Sequence, residues 1–377
     1  MAKFRIALWG LENTEKLILR SCPDTIEVPY FVTANTDYQG RNYKGTEIIS
    51  PEKLKEAWDG GEIEAVFIYT YTKYAIAPII EELKYMGIHR IGVFRRRVGL
   101  GQKIDWESVI YLDELDKPFL PYVQTNLINA CNLNCKGCSH FANLFQGEGE
   151  ADIEEFRRDL AQLQSHSFVS ELRLMGGEPL MAAHKEDFIR AARQIMPDTD
   201  IRLVTNGTLL LRQDESFFDC LIENDVVLDI SAYQPTLEYK DGIIRLLEDK
   251  KIPYLMTLNI GKFYRTVNIR GDSDYVKAHE ICLQSFCCHL KAGMLYMCPM
   301  EAFFERYLEY FAVPHEGLHT ERFGIDIYDE GLNWERLPAR LTRPKPLCAW
   351  CTEKGDEFFD WAVAADPAKE DWIVKGI

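Results

Sequence analysis

The chain has 377 residues, 47% hydrophobic and 27% charged, with 43 basic against 59 acidic side chains and a formal charge of −16. That apolar content fills two or three packed domains and excludes a chain that is mostly disordered. The acidic balance argues against nucleic acid and anionic membrane as partners, and no apolar run approaches the ~20 residues of a membrane span or has the form of a secretory leader. A cytoplasmic location is expected, where thiols stay reduced. The eleven cysteines are then core residues or metal ligands, and their spacing must separate the two.

Residues 1–97 read as a Rossmann-like α/β domain. Strands are expected at 4–9, 26–33, 48–49, 65–69 and 91–94. Asn13 or Thr14 would cap a helix over 15–20, Ser50-Pro51-Glu52 opens a helix to residue 58, and apolar spacing at Ile79, Ile80, Leu83 and Met86 gives a helix over 78–86. Strands alternating with helices imply a small parallel sheet. Gly10 is followed by Leu11-Glu12-Asn13, so the G-x-G-x-x-G pattern for dinucleotides is absent and a docking or scaffold role fits better. In layout alone the block resembles Rossmann-like domains attached to sugar- and glycan-modifying enzymes. A linker over 98–118 follows the basic run Arg95-Arg96-Arg97 and contains Gly99 and Gly101; the run reads as a solvated loop.

Residues 119–275 alternate again, with strands expected at 123–128, 172–175, 201–204, 226–230 and 254–257 and helices at 153–164, 185–195, 216–224 and 239–249. Repeating βα units fit a partial parallel barrel, whose chemistry sits at the C-terminal ends of its strands. Directly after the first of these strands come Cys131, Cys135 and Cys138, spaced C-x3-C-x2-C. Structural zinc prefers four closed ligands, often as paired C-x2-C. Three thiolates from one tight loop suit a [4Fe–4S] cluster with one iron left open. Zinc with a fourth ligand from elsewhere, or three unrelated core cysteines, are the alternatives.

A C-x3-C-x2-C loop after the first barrel strand resembles the signature of the radical S-adenosylmethionine (SAM) superfamily. The resemblance implies a partial (β/α)6 barrel in which Cys131, Cys135 and Cys138 ligate a [4Fe–4S] cluster. It implies that the open iron binds the amino and carboxylate groups of SAM, and that reduction releases a 5′-deoxyadenosyl radical that abstracts a hydrogen atom. Three further segments match at strand ends. Gly176-Gly177-Glu178-Pro179 resembles the family's GGEP motif, whose backbone and acid receive the SAM ammonium; glycines allow close approach and a carboxylate suits an ammonium. Thr205-Asn206-Gly207 resembles the segment near the SAM ribose and carboxylate, and Ser231, ending Asp229-Ile230-Ser231, can donate to the same groups. Ordinary tight turns are the alternative for each. The family usually carries an aromatic residue just before the third cysteine, where this chain has Gly137; Phe141 is the expected substitute against the adenine.

Residues 276–377 lose the alternation. Cys288-x4-Gly293-x4-Cys298 reads as a hairpin whose glycine lets both thiols face one point, and Cys348-x2-Cys351 adds a pair. Four thiols complete a tetrahedral-type site. The layout resembles the twitch form of the SPASM-type auxiliary-cluster domains that follow some radical SAM barrels, which implies a second [4Fe–4S] cluster on Cys288, Cys298, Cys348 and Cys351. Cys282 and Cys287 are rivals of Cys288 as first ligand or hydrogen donors to a substrate radical, and structural zinc is the alternative metal. Cys22 and Cys220 read as core residues, His140 as a hydrogen-bonded loop histidine, and Phe303, Phe304, Tyr307, Tyr310 and Phe311 as a helix-spaced apolar face.

The expected function is a radical SAM oxidoreductase acting on a small sugar-like or polyol substrate. It would perform a two-electron oxidation with one auxiliary cluster, and flavodoxin or ferredoxin would supply electrons. Peptide modification, redox-neutral sugar epimerisation and a non-catalytic iron–sulfur or zinc protein are the competing readings.

Overall fold

The computed structural model describes residues 3–10, 21–70, 76–95, 106–258, 260–285, 287–314, 318, 323–355 and 357–376. They fall into two compact units, Met1–Pro121 and Tyr122–Ile377. The expected cap at Asn13 or Thr14, the helix over 15–20, Arg96, Arg97, Gly99 and Gly101 lie outside the described residues.

In the first unit five parallel strands stand side by side in the order Thr46–Ile49, Ile26–Val32, Phe4–Trp9, Ala65–Ile68, Ile91–Phe94. Asn42–Tyr43 and Val109–Tyr111 pair antiparallel at the two edges. Val109–Tyr111 thus gives regular structure to part of the segment read as a linker. Ala65–Ile68 is buried throughout, the continuous apolar run of a strand covered on both faces. Helix Pro51–Asp59 starts where its sequence directs: the Ser50 side chain accepts from the Lys53 N–H, and Pro51 takes the first turn, which needs no N–H.

In the second unit five parallel strands run in the order Tyr254–Thr257, Val227–Ser231, Asp200–Thr205, Glu171–Gly176, Val123–Ile128. Helices Ile153–His166, Lys185–Ile195, Glu215–Glu223 and Lys240–Asp249 connect them. Alternation decides the two faces. Leu172, Leu174, Ile201, Leu203, Leu228 and Ile230 are fully buried, while the intervening positions carry charge. There Arg173 bonds Glu171 at 2.8 Å and Asp229 at 2.9 Å, and Arg202 meets Asp200 at 2.7 Å and Glu171 at 3.1 Å. Each buried charge has an opposite charge in contact, as its desolvation requires.

The βα alternation ends with Tyr254–Thr257. The next strand, Lys262–Arg265, leaves the sheet to pair antiparallel with Glu357–Asp360. The sixth parallel strand is therefore not supplied by a further βα unit. It is His289–Lys291, which joins the edge of Val123–Ile128 at His289↔Gln124 and continues antiparallel into Met294–Tyr296 and Ile325–Asp326. Helix Pro299–Tyr310 follows, with Phe303, Phe304 and Tyr307 buried and Tyr310 exposed.

Candidate functional site

The cysteine loop leaves the end of Val123–Ile128 and turns on Asn134 and Gly137, both with positive φ. Hydrogen-bond donors face its thiols. The backbone N–H groups of His140, Phe141 and Ala142 point at the Cys138 sulfur, that of Leu133 at Cys131, and Trp361 Nε1 donates to Cys135 Sγ at 3.1 Å. Burial pushes the Cys131 and Cys135 thiols up to about 12. A neutral thiol is therefore the resting form, and a bound cation is what would hold them as thiolates. All three cysteines and Glu178 act on one phenol, that of Tyr233, which burial first and then these groups push well above its usual value. Three converging thiols ringed by N–H donors fit a cluster held by three thiolates. Among the described residues no three histidine, cysteine or acidic side chains close around a single ion.

A distant segment clamps this loop. Lys136 N donates to Ala362 O and Ala364 N to Asn134 O, both at 2.9 Å, and Trp372 Nε1 donates to Cys138 O at 2.9 Å. A Cβ on Gly137 would stand 2.9 Å from Asp371 O and 3.0 Å from the Phe359 ring. The residue usual before the third cysteine is thus excluded by packing as well as by backbone. Phe141 does not take its place. It is 1% exposed, has φ +53°, and stacks on Trp372 at 5.6 Å inside the hydrophobic core. The aromatic pair beside the thiols is Tyr233 stacked on Trp361 at 5.8 Å. Sequence reasoning missed both. Tyr233 had a signal, two residues past the strand end at Ser231; Trp361 had none.

Gly176 and Gly177 are glycines because of the loop beside them. A Cβ would lie 2.1 Å from Ile128 O at the first and 2.2 Å from Ala130 O at the second. The approach is used: Gly177 N donates to Ile128 O and Glu178 N to Ala130 O, at 2.9 and 3.0 Å. The Glu178 carboxylate, fully buried, accepts from Thr205 Oγ1 at 2.6 Å, Asn206 N at 2.8 Å and Leu180 N at 3.1 Å. Burial raises it to about 7 against those three bonds. Glu178 therefore ties the second strand's loop to the third's. Pro179 opens the short turn Pro179–Met181. Asn206 Nδ2 donates to Asn132 Oδ1 at 2.8 Å and lies 3.9 Å from Cys131 Sγ, so the third strand's loop reaches the cysteines. Ser231 ends the fourth strand, half-buried, in register with Thr257. Every one of these positions lies at the C-terminal end of a parallel strand.

A second cysteine set lines an apolar cavity: Cys282, Cys298, Cys348 and Cys351, with the Glu301–Lys345 ion pair at 2.7 Å in its wall. Burial raises the Cys298 thiol well above its usual value, with Glu301, Cys282 and Cys351 adding to it. Cys288, expected as the first ligand, does not line this cavity, and its rival Cys282 does. Cys288 O accepts from Gln124 N at 2.9 Å, one residue before His289 joins the first parallel strand, and its buried thiol still feels Lys345 and Glu301 of the cavity wall. Four thiols lining one space suit a cluster more than a single ion, since no three of them close on one point among the described residues. Cys287 stands apart, its carbonyl accepting from Gln124 Nε2 at 3.4 Å. The His140 ring sits between Ser139 and Gln124 at 3.3 and 3.2 Å, and burial lowers it to about 4. Cys220 is buried in helix Glu215–Glu223 against Glu186 O.

Residues 125–259 match the Radical SAM superfamily. Curated relatives include GTP 3′,8-cyclase of Mycobacterium marinum, 33% identical over 93 residues, 24% of this chain and 26% of that protein. GTP 3′,8-cyclase of Aquifex aeolicus is 33% identical over 105 residues, 26% of this chain and 31% of that protein. The chain therefore spans less than a third of the length of these relatives. Among solved structures, BtrN in complex with AdoMet and 2-DOIA is 17% identical over 63% of this chain and 94% of that one, with a TM-score of 0.39. Native anSMEcpe with bound AdoMet and Cp18Cys peptide is 20% identical over 37% of this chain and 42% of that one, with a TM-score of 0.29. Among the described residues no helix is long and apolar enough to cross a membrane. The family match covers the cysteine loop and the strand-end segments built above, so that this part of the chain is similar to the Radical SAM superfamily.

Proposed function

We propose that the protein is a radical SAM oxidoreductase that removes two electrons from a small sugar-like or polyol substrate. Cys131, Cys135 and Cys138 would hold the [4Fe–4S] cluster, with Gly176, Gly177, Glu178, Pro179, Thr205, Asn206 and Ser231 forming the rim that seats SAM. When bound and reduced by flavodoxin or ferredoxin, this pair supplies the 5′-deoxyadenosyl radical that abstracts a hydrogen atom. The chain's own contribution is positional. Trp361 and the N–H groups after Cys138 donate to the thiolates, Glu178 locks two strand ends in register, and the 357–372 segment holds the cysteine loop in shape.

The observation that carries the oxidative reading is the second set, Cys282, Cys298, Cys348 and Cys351, around its own cavity. A complete four-thiolate site suits an auxiliary [4Fe–4S] cluster, a place for an electron leaving the substrate. The test is anaerobic reconstitution with iron counting, SAM cleavage under strong reductant, and product analysis. About eight irons per chain, 5′-deoxyadenosine, and a carbonyl product from an alcohol are expected. About four irons, or solvent deuterium in a product of unchanged oxidation state, would overturn the oxidative reading. Failure to form 5′-deoxyadenosine would overturn the enzyme itself.

A further inference from the structure

Two cysteines of the second set carry a charged residue at the same spacing, in opposite directions. Glu301 lies three residues after Cys298, and Lys345 lies three before Cys348. The fold brings the two together in the wall of the cavity. Lys345 Nζ donates to Glu301 Oε1 at 2.7 Å and Oε2 at 3.0 Å, and to Phe323 O at 2.8 Å. Both are withdrawn from water: the Glu301 side chain is 1% exposed and that of Lys345 14%. A buried ion pair is a poor source of stability, because desolvating two charges offsets most of their attraction. Two apolar side chains would close the same wall without that cost. The pair therefore points to a role that only charge can fill.

The two charges do not act equally on the thiols. Cys298 caps helix Pro299–Tyr310, its Sγ accepting from Glu301 N at 3.4 Å. The Glu301 carboxylate turns back toward the same cysteine, Oε2 accepting from Met297 N at 2.6 Å. After burial, Glu301 is the first of the charges that push the Cys298 thiol up, ahead of Cys282 and Cys351. At Cys348 Glu301 raises and Lys345 lowers, and Glu301 is the larger of the two. At both thiols the carboxylate thus opposes negative charge on sulfur. An electron added to a cluster on these sulfurs is further negative charge, and a buried wall screens the carboxylate from it only weakly. Lys345 keeps that carboxylate ionised and fixes where it points.

We infer that Glu301 is a potential-setting residue of the second cluster site, holding its reduction potential below what the four thiolates alone would give, with Lys345 as the counter-charge that keeps it in place. The inference rests on the reading above that Cys282, Cys298, Cys348 and Cys351 hold an auxiliary [4Fe–4S] cluster. A lowered potential suits a site that passes an electron on to an external one-electron carrier over one that stores it.

The test is an EPR-monitored redox titration of the anaerobically reconstituted protein with SAM bound. SAM alters the signal of the first cluster only, which identifies the second. Glu301→Gln is expected to raise the second midpoint by at least ~59 mV, a tenfold change in a one-electron equilibrium, and to leave the first where it was. Glu301→Asp keeps the charge and should stay near the parent. The double variant Glu301→Gln, Lys345→Met removes the pair as a whole and should lie above the parent and below the single variant. It is read in place of Glu301→Gln where the single variant loses iron. A second midpoint unchanged or lowered in the neutral variants, an equal shift in Glu301→Asp, or loss of the second cluster from both neutral variants would overturn the inference. A parent that takes up only about four irons per chain would overturn the second site itself instead.

Discussion

Glu178 offers a test of the site's construction through pH. Its carboxyl is fully buried, and burial raises it from 4.5 to about 7 even with Thr205, Asn206 and Leu180 donating to it. Below pH 4.5 the group is protonated both folded and unfolded. Between 4.5 and 7 the unfolded chain releases the proton and the folded one keeps it, so stability falls by about 1.4 kcal/mol per pH unit. Above 7 both forms are ionised and the dependence ends. The total is about 3 kcal/mol. Glu178→Gln cannot titrate, and its amide would also face one of the three donors with a donor, a fixed cost of about 1–3 kcal/mol. Anaerobic denaturant unfolding of parent and variant at pH 5, 6, 7 and 8 measures the difference while other groups cancel. The parent's advantage should shrink steadily up to pH 7 and stay level at 8. A difference that is flat, or that grows with pH, would refute the claim that burial governs this carboxyl.

Trp361→Phe removes the N–H to Cys135 Sγ; losing about 1 kcal/mol of preference for the reduced state lowers the catalytic cluster's potential by about 40 mV, readable by EPR-monitored redox titration. An unchanged or raised potential would contradict that role. Cys282→Ser should leave about four irons after reconstitution while Cys288→Ser keeps about eight; the reverse would return the ligand role to Cys288. Gly137→Phe restores the residue usual before the third cysteine but drives it into Asp371 and Phe359. It should lower both thermal stability and iron content, and a variant equal to the parent would refute the packing account.

What could be read from the sequence is what the backbone settles locally. The C-x3-C-x2-C spacing, the paired glycines and Asn206 lie in short loops at strand ends, and the strands announce themselves by apolar alternation. C-x4-G-x4-C describes a hairpin in isolation, so the local pattern favours Cys288 over Cys282. In the fold, Gln124, more than 160 residues earlier, holds the first of those cysteines in the sheet. Proximity along the chain points Phe141 toward the adenine, but its left-handed backbone turns the ring into the core. Trp361 and Trp372 reach the cysteine loop across 226 and 234 residues, and no local pattern encodes contacts of that range.

The clamp on the cysteine loop also bears on how the protein is made. At roughly 5–20 residues per second, the ribosome needs on the order of 10–50 s after Cys138 to produce Trp361 and Trp372. Through that interval the three thiols lack the indole donor, the two backbone hydrogen bonds and the packing against Gly137 that shape their loop. The shape of the cysteine loop is therefore completed late in synthesis, once the 359–372 segment has emerged to close it.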